Sequence, residues 1–276
     1  MCKITLKETL SDQITLMKIE APDVTRHAKA GQFVILRVDQ QGERIPLTIA
    51  DVNTSDGTIT IIFQVVGKTT YMLNQKDEGM HVEDFVGPLG MPTHIENLNR
   101  VLVVSGGVGA AIAYPVCKAL NEQHSLVDII SGFKNKSFVI LEDWFKKVSH
   151  KQYYTTDDGS FGEKGFVTDI LKKVIEENQY DHVFAVGPIV MMKAVSKITK
   201  AYHIPTTVSL NPIMVDGTGM CGGCRVKIGD SIKFACVDGP DFDGHQVDYD
   251  NLLKRNQMYL DKETKDFKQL TSRGDS

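Results

Sequence analysis

The sequence predicts a β-barrel or sandwich followed by an α/β domain with a mostly parallel sheet, closed by a small cysteine-rich module. Three observations predict it. Up to residue 97 the apolar residues fall in short β-like runs separated by Gly, Pro, Asn and Asp. From Arg100 onward, apolar β-branched runs alternate with stretches of helical periodicity. Between residues 208 and 245 that periodicity fades, and Gly, Asp and Cys dominate. A chain of 276 residues has room for two domains and a small third piece.

In the β half, residues 1–97, strand-like runs cover Leu6–Glu20, Gln32–Asp39, Arg44–Asp51, Thr58–Val66 and His81–Val86. Many short strands at that spacing suit a closed or two-layered β fold. The α/β half, residues 98–207, opens with Arg100–Val104, an apolar run suited to a strand buried on both faces. A Gly-rich turn and a helix over Ala110–His124 follow, then a strand over Leu126–Phe133 and a weaker one over Lys151–Thr155. Thr168–Asn178 carries Ile170, Leu171, Val174 and Ile175 on one helical face. Asp181–Val186 is a further buried strand and Val190–Tyr202 a further helix, and such alternation builds a parallel sheet. Residues 208–245 form the cysteine-rich module. The last segment, 246–276, reads as a helix over Gln246–Phe267 with a frayed end from Thr271 to Ser276.

The composition, 42% hydrophobic and 24% charged, is ordinary for a soluble protein. A net charge of −4 gives no sign of nucleic-acid binding. No apolar run approaches the ~18 residues of a membrane span. The alternating start Met1–Glu8 lacks a signal-peptide core, so a cytoplasmic protein without a membrane partner is expected.

Of five cysteines, Cys2 and Cys117 stand alone and read as structural thiols. The other three follow Asp216 in the pattern D-x4-C-x2-C-x11-C: Asp216, Cys221, Cys224 and Cys236. Plant-type [2Fe-2S] proteins space their ligands C-x4-C-x2-C with a distant fourth cysteine. Interleaved glycines let a loop wrap a cluster closely and aim backbone N–H groups at its sulfides. A zinc site completed by His245 or Asp216, or a structural loop with buried thiols, competes with that reading. Asp216 also serves as an ordinary turn residue before Gly217.

Ser105-Gly106-Gly107-Val108-Gly109-Ala110 lies between the first α/β strand and its helix, where N–H groups meet an anion such as a pyrophosphate. The plainer reading is a tight strand-to-helix turn. Gly187-Pro188 ends a later strand, and ligands of such sheets gather at those ends. No acidic residue closes the second strand: Asp128 lies within it, and Lys134 and Lys136 follow it. NADP(H) therefore stays open beside NAD(H).

In the β half, Arg44-Ile45-Pro46-Leu47-Thr48, Gly67-Lys68-Thr69-Thr70 and Gly87-Pro88-Leu89-Gly90 are each unremarkable as surface charge or turn. In this order, over residues 1–245, they resemble the ferredoxin–NADP reductase superfamily, a FAD-binding β-barrel followed by a nicotinamide-binding α/β domain. The resemblance implies that Arg44 contacts the FAD pyrophosphate. Pro46 would belong to the cofactor-binding set, and Leu47 and Thr48 would sit by the isoalloxazine, with Thr48 the candidate catalytic residue, hydrogen-bonding near flavin N5. Gly67, Lys68, Thr69 and Thr70 would hold the FAD phosphates. Asp157, in the run Thr156–Gly162, and the V-G-P-x-x-M-M run at 186–192 look like the nicotinamide half, alongside Gly106, Gly107, Val108, Gly109, Gly187 and Pro188. Val186 departs from the cysteine that superfamily members often carry before Gly-Pro.

A cysteine-cluster tail narrows the resemblance to two subfamilies: the electron-transfer subunit of dihydroorotate dehydrogenase B, and the small subunit of NADH-dependent reduced ferredoxin:NADP oxidoreductase. Asp216 in place of a first cysteine resembles the three-Cys, one-Asp site of the second. The implied function is an oxidoreductase subunit moving electrons between NAD(H), FAD and a [2Fe-2S] cluster. The implied partner is a larger flavoprotein with FAD and [4Fe-4S] clusters, and ferredoxin is engaged indirectly. The alternatives are a dihydroorotate dehydrogenase electron-transfer subunit and a zinc-stabilised nucleotide-binding module.

Overall fold

A computed structural model describes residues 1–273; Gly274 to Ser276, part of the expected frayed end, lie outside the described residues. The β half has eight strands: β1 (Cys2–Ser11), β2 (Ile14–Glu20), β3 (Phe33–Arg37), β4 (Arg44–Thr48), β5 (Asp51–Asn53), β6 (Thr58–Gln64), β7 (His81–Val82) and β8 (Asp84–Leu89). The run Leu6–Glu20, expected as one strand, is the β1–β2 hairpin turning at Asp12 and Gln13. Two short helices, α1 (Pro22–Thr25) and α2 (Lys68–Asn74), had no periodic signal because each is at most two turns long.

These strands form two antiparallel sheets, β5-β6-β2-β1-β7 and β4-β3-β8, which close a barrel. The two-residue side-chain period divides each inner strand between two cores. Met17 and Ile19 of β2, with Ile59, Ile61 and Phe63 of β6, fill the barrel. Ile14 and Leu16, with Ile62, point the other way into a core shared with the α/β domain. That sharing is why β6 is buried on both faces and carries the unbroken apolar stretch Ile61–Phe63.

The α/β half comprises β9 (Arg100–Gly106), α3 (Gly109–Glu122), β10 (Leu126–Phe133), α4 (Glu142–Lys146), β11 (Lys151–Thr156), β12 (Glu163–Lys164), α5 (Val167–Glu177), β13 (His182–Val186), α6 (Ile189–Ala201) and β14 (Thr206–Ser209). After it come the hairpin β15 (Arg225–Ile228) and β16 (Ser231–Phe234), β17 (Asp241–Asp243), α7 (Tyr249–Asn256) and α8 (Leu260–Arg273). Gln246–Phe267, expected as one helix, is therefore two. The sheet of this half runs β12-β11-β10-β9-β13-β14-β17, parallel except for β17. Residue 207, where the domain boundary was expected, falls inside β14, and β17 from the cysteine-rich segment supplies the last strand. Strand order reverses between β9 and β13, the topological switch point where ligands of such sheets bind. No helix among the described residues is long and apolar enough to cross a membrane.

Candidate functional site

At the switch point the glycines at and just after the ends of β9 and β13 bring their backbones into direct contact. A Cβ on Gly109 would lie 2.6 Å from the Val186 carbonyl oxygen, and one on Gly187 3.0 Å from both N and O of Gly106. Gly107 differs: its φ is +56° and a Cβ there meets nothing within 4 Å. Its N–H donates to the Gly132 carbonyl at 2.9 Å. At the start of α3, Ala110 N–H and Ala111 N–H are turned back onto the Gly107 and Val108 carbonyls at 3.1 and 3.0 Å, so an anion at this helix start would be met by the N–H groups of Val108 and Gly109. Gly106, Gly107, Val108, Gly109, Gly187 and Pro188 all gather at this one strand end. Asp157 is exposed beside it, its N–H bonded to the Phe133 carbonyl at 3.2 Å. Asp128 is fully buried toward the other end of β10, held by Tyr180 Oη (2.6 Å), Arg100 Nη2 (2.8 Å) and His150 Nδ1 (3.0 Å). It is a structural carboxylate.

In the barrel, β4 is the edge of its sheet, pairing only with β3, and all five of its residues are half-buried. Pro46 has no N–H to leave unpaired at such an edge. Arg37 Nε takes Asp84 Oδ2 at 2.7 Å, while Arg44 Nη2 reaches the same oxygen only at 3.7 Å, so most Arg44 donors remain for another acceptor. The Thr48 hydroxyl has no hydrogen bond among the described residues. In the second motif, Thr69 is buried and the Thr70 hydroxyl is taken up in capping α2, accepting from Val66 N and Gly67 N at 3.1 Å each. Gly67 has open space where a Cβ would sit, and Lys68 is exposed. A half-buried edge strand, an under-used arginine and an open glycine fit a flat anionic cofactor such as FAD.

The cysteine module explains its own spacing. Cys224 and Cys236 flank the β15–β16 hairpin, whose first pair is Arg225↔Phe234 and whose turn is Gly229-Asp230. Two four-residue strands, a two-residue turn and Ala235 make up the x11 gap. The hairpin brings the two buried sulfurs to 3.2 Å. Burial, with Cys224 beside it, pushes the Cys236 thiol well up.

Cys221 is exposed, and N–H groups of Gly223, Asp216 and Val215 directed at its sulfur hold that thiol below its usual range. Asp216 sits at the head of the loop with its carboxyl held low by the Thr218 hydroxyl and N–H and by Met220 N–H, with Arg44 adding to the effect. All three donors reach Oδ2, at 2.6, 2.9 and 3.2 Å, and Oδ1 has no donor among the described residues. Gly217, Gly219 and Gly222 carry φ of +82°, +86° and +65°, the left-handed backbone that this wrap requires. Two pairs, Asp216 with Cys221 and Cys224 with Cys236, suit a two-iron group better than one tetrahedral ion. His245 bonds Thr199 at 3.0 Å instead, and no group of three His, Cys, Asp or Glu among the described residues is placed to hold a single metal.

Sequence reasoning missed how the module is fixed. A Cβ on Gly217 would lie 2.7 Å from Ile35 Cγ1 of β3, and Met91 N–H donates to the Gly239 carbonyl. Thr93 Oγ1 bonds Asp241 Oδ2 at 2.5 Å. A cleft of about 500 Å³, lined by Lys29, Asp51, His94, Lys118 and Glu122 among others, contains none of the residues expected from sequence.

Comparisons with known proteins agree with this layout. Residues 211–248 match the iron-sulfur cluster binding domain of dihydroorotate dehydrogenase B, and residues 103–197 the oxidoreductase NAD-binding domain. A Thermotoga maritima protein named as a homolog of the dihydroorotate dehydrogenase B (NAD(+)) electron transfer subunit is 47% identical, covering 95% of this chain and 92% of its own. The corresponding subunit of Fusobacterium nucleatum is 32% identical over 87% of this chain and 94% of its own. A solved chain from the NADH-dependent reduced ferredoxin-NADP oxidoreductase, described in connection with flavin-based electron bifurcation, has 45% identity, a TM-score of 0.93 and 98% coverage of both chains.

Proposed function

The chain belongs to the family of dihydroorotate dehydrogenase B electron-transfer subunits, and from that premise we propose that it moves electrons between NAD(H), FAD and a [2Fe-2S] cluster, to or from a larger catalytic subunit. The observation that carries the electron-bifurcating version of this reading is the full-length match to the ferredoxin-NADP oxidoreductase chain, at 45% identity. The Asp216-x4-Cys221 start of the ligand pattern supports the same version. On that version the partner is a larger flavoprotein with FAD and [4Fe-4S] clusters, ferredoxin acts through that partner, and the pair works in the cytoplasm.

Nicotinamide, flavin and iron–sulfur cluster together supply, when bound, the conversion between a two-electron hydride carrier and single electrons. The protein's part is to hold and orient them. Gly109 lets α3 approach the end of β13, so its N-terminus faces the dinucleotide pyrophosphate, and Gly106 makes room for Pro188 and Met191 at the start of α6. Gly107 keeps that face clear. Arg44 offers a bidentate fork to the flavin pyrophosphate, and Thr48 offers a hydroxyl beside the ring. Gly67 admits a phosphate to the start of α2. Asp216, Cys221, Cys224 and Cys236 hold the cluster, with Oδ2 of Asp216 tied down by Thr218 and Met220.

An anaerobic visible spectrum before and after NADH tests the reading. Flavin bands with a cluster shoulder, both bleaching, are expected; a colourless protein or flavin without iron would sink it. The family's naming favours a second version, delivery of electrons from dihydroorotate to NAD. A co-purifying FMN subunit would select that version, and a [4Fe-4S] flavoprotein the first.

A further inference from the structure

Helix α7 lies outside the stretch that matches the cluster domain, yet its last turn reaches into the cluster loop. The helix is firmly placed. Asp248 caps it through Asn251 N–H at 3.0 Å, and Tyr249 and Leu252 are buried in the core that also contains Cys224 and Cys236. Tyr249 Oη meets Ser196 Oγ of α6 at 2.8 Å. The helix therefore delivers Arg255 and Asn256 to fixed positions.

Arg255 Nη2 donates to the carbonyl of Gly223, directly before Cys224, at 3.0 Å. Asn256 Nδ2 donates to the carbonyl of Asn211, where the module begins, at 3.3 Å. Arg225 Nη1 also reaches the loop, at the Gly222 carbonyl (2.8 Å), but from an exposed position. Arg255 is partly buried, and its Nε is cut off from water with no acceptor among the described residues. A buried N–H of a permanent cation left unpaired is costly unless an anionic group stands nearby. Partly shielded from water, its field is screened less than that of an exposed arginine.

The geometry points to Arg255 as a positioning residue that sets the potential of the iron–sulfur group. It holds the Gly223 carbonyl and fixes a positive charge beside the ligand loop. This rests on the cluster reading of Asp216, Cys221, Cys224 and Cys236. One-electron reduction makes the cluster one charge more negative and changes no covalent bond. A fixed cation stabilises the reduced form and raises the potential.

The test is an anaerobic EPR-monitored redox titration of the full chain with its cofactors, alongside iron content. Arg255→Gln should keep its iron and lower the reduced-to-oxidised ratio at a fixed poise about tenfold, about 59 mV for a one-electron couple. Arg255→Lys should recover most of that. Arg225→Gln, screened by water, should shift the ratio far less, and Asn256→Ala should not shift it. If Arg255→Gln sheds iron, Arg255→His decides, because its charge can be titrated: a reduced-to-oxidised ratio that falls several-fold more than the wild type's between pH 5.5 and pH 8 upholds the assignment, and one that follows the wild type overturns it. An unchanged potential in iron-replete Arg255→Gln, or an equal drop in Asn256→Ala, also overturns it. Wild-type protein without cluster iron would instead refute the underlying function.

Discussion

Two neighbouring glycines should fail in opposite ways when each gains one methyl group. On Gly109 the added Cβ meets backbone on the β13 side: the Val186 oxygen at 2.6 Å and the Gly187 Cα at 3.1 Å. Neither can rotate aside, so the start of α3 must lift off the strand. Overpacking of this kind costs about 1–3 kcal/mol. At about 2–4 °C per kcal/mol for a domain of this size, Gly109→Ala should lower Tm by roughly 5 °C. On Gly107 the Cβ meets nothing, and the cost is the left-handed backbone alone, about 1 kcal/mol, or only a few degrees. That methyl, however, projects into the face assigned to the dinucleotide. Loss of about 1.4 kcal/mol or more of contact there raises the NADH Kd at least tenfold. The assay pairs thermal unfolding with anaerobic NADH titration of the flavin absorbance. Gly107→Ala should lose affinity out of proportion to Tm, and Gly109→Ala should lose mainly Tm. A Gly107→Ala protein that binds NADH like the wild type would refute the placement of the dinucleotide. A Gly109→Ala protein with wild-type Tm would refute the packing argument.

Cys224→Ala and Cys236→Ala should each lose most of the iron, because each removes half of the same buried pair; full retention of iron by elemental analysis, with full acid-labile sulfide, would count against the pair. Asp216→Cys should keep the cluster and change its EPR spectrum, while an identical spectrum would remove Asp216 from the ligand set. His182, bonded to Thr207 at 2.8 Å, has its imidazole pushed down from 6.5 to about 4, first by burial and then by His94. The fold therefore prefers neutral His182. Its stabilising share is complete above the unfolded value of 6.5 and is lost as pH falls from there towards 4, by about 3 kcal/mol at most. In urea unfolding at pH 7 and pH 4.5, His182→Gln should lose less stability than the wild type, and equal losses would show that this imidazole is not the group responsible.

The α/β half was legible because parallel strands buried on both faces are long apolar runs. Arg100–Val104, Leu126–Phe133 and Asp181–Val186 each fall within two residues of β9, β10 and β13 at either end. The helical face of Ile170, Leu171, Val174 and Ile175 is buried as its period requires. The barrel was legible as β but not strand by strand, since Asp12-Gln13 is too brief a polar break to separate β1 from β2. The cluster residues stood out by their spacing, and the Ile-Gly-Asp-Ser turn at 228–231 was a hairpin signal inside the x11 gap that went unread. Arg255 and Asn256 had no sequence signal. A helix-terminal Arg-Asn pair is ordinary, and only the packing of Tyr249 and Leu252 decides what it faces.

The alternation of β3 accounts for how the pieces are held together. Phe33 and Ile35 face the core that contains Cys224 and Cys236, while Val34 and Leu36 face the barrel interior. One strand thus has the cluster module on one side and the barrel core on the other. Its neighbour, about 4.8 Å away at ordinary strand spacing, is β4 with Arg44, Pro46, Leu47 and Thr48. Gly217 presses on Ile35 and Leu89 from above, and the field of Arg44 is felt at Asp216. The half-buried edge strand β4 and the cysteine loop are therefore registered by a single β-ladder rather than by the linker between domains. An electron-transfer subunit with its flavin on β4 and its cluster in that loop needs a fixed separation between them, and a one-residue slip of β3 would turn Phe33 and Ile35 away from the core around Cys224 and Cys236 and destroy it.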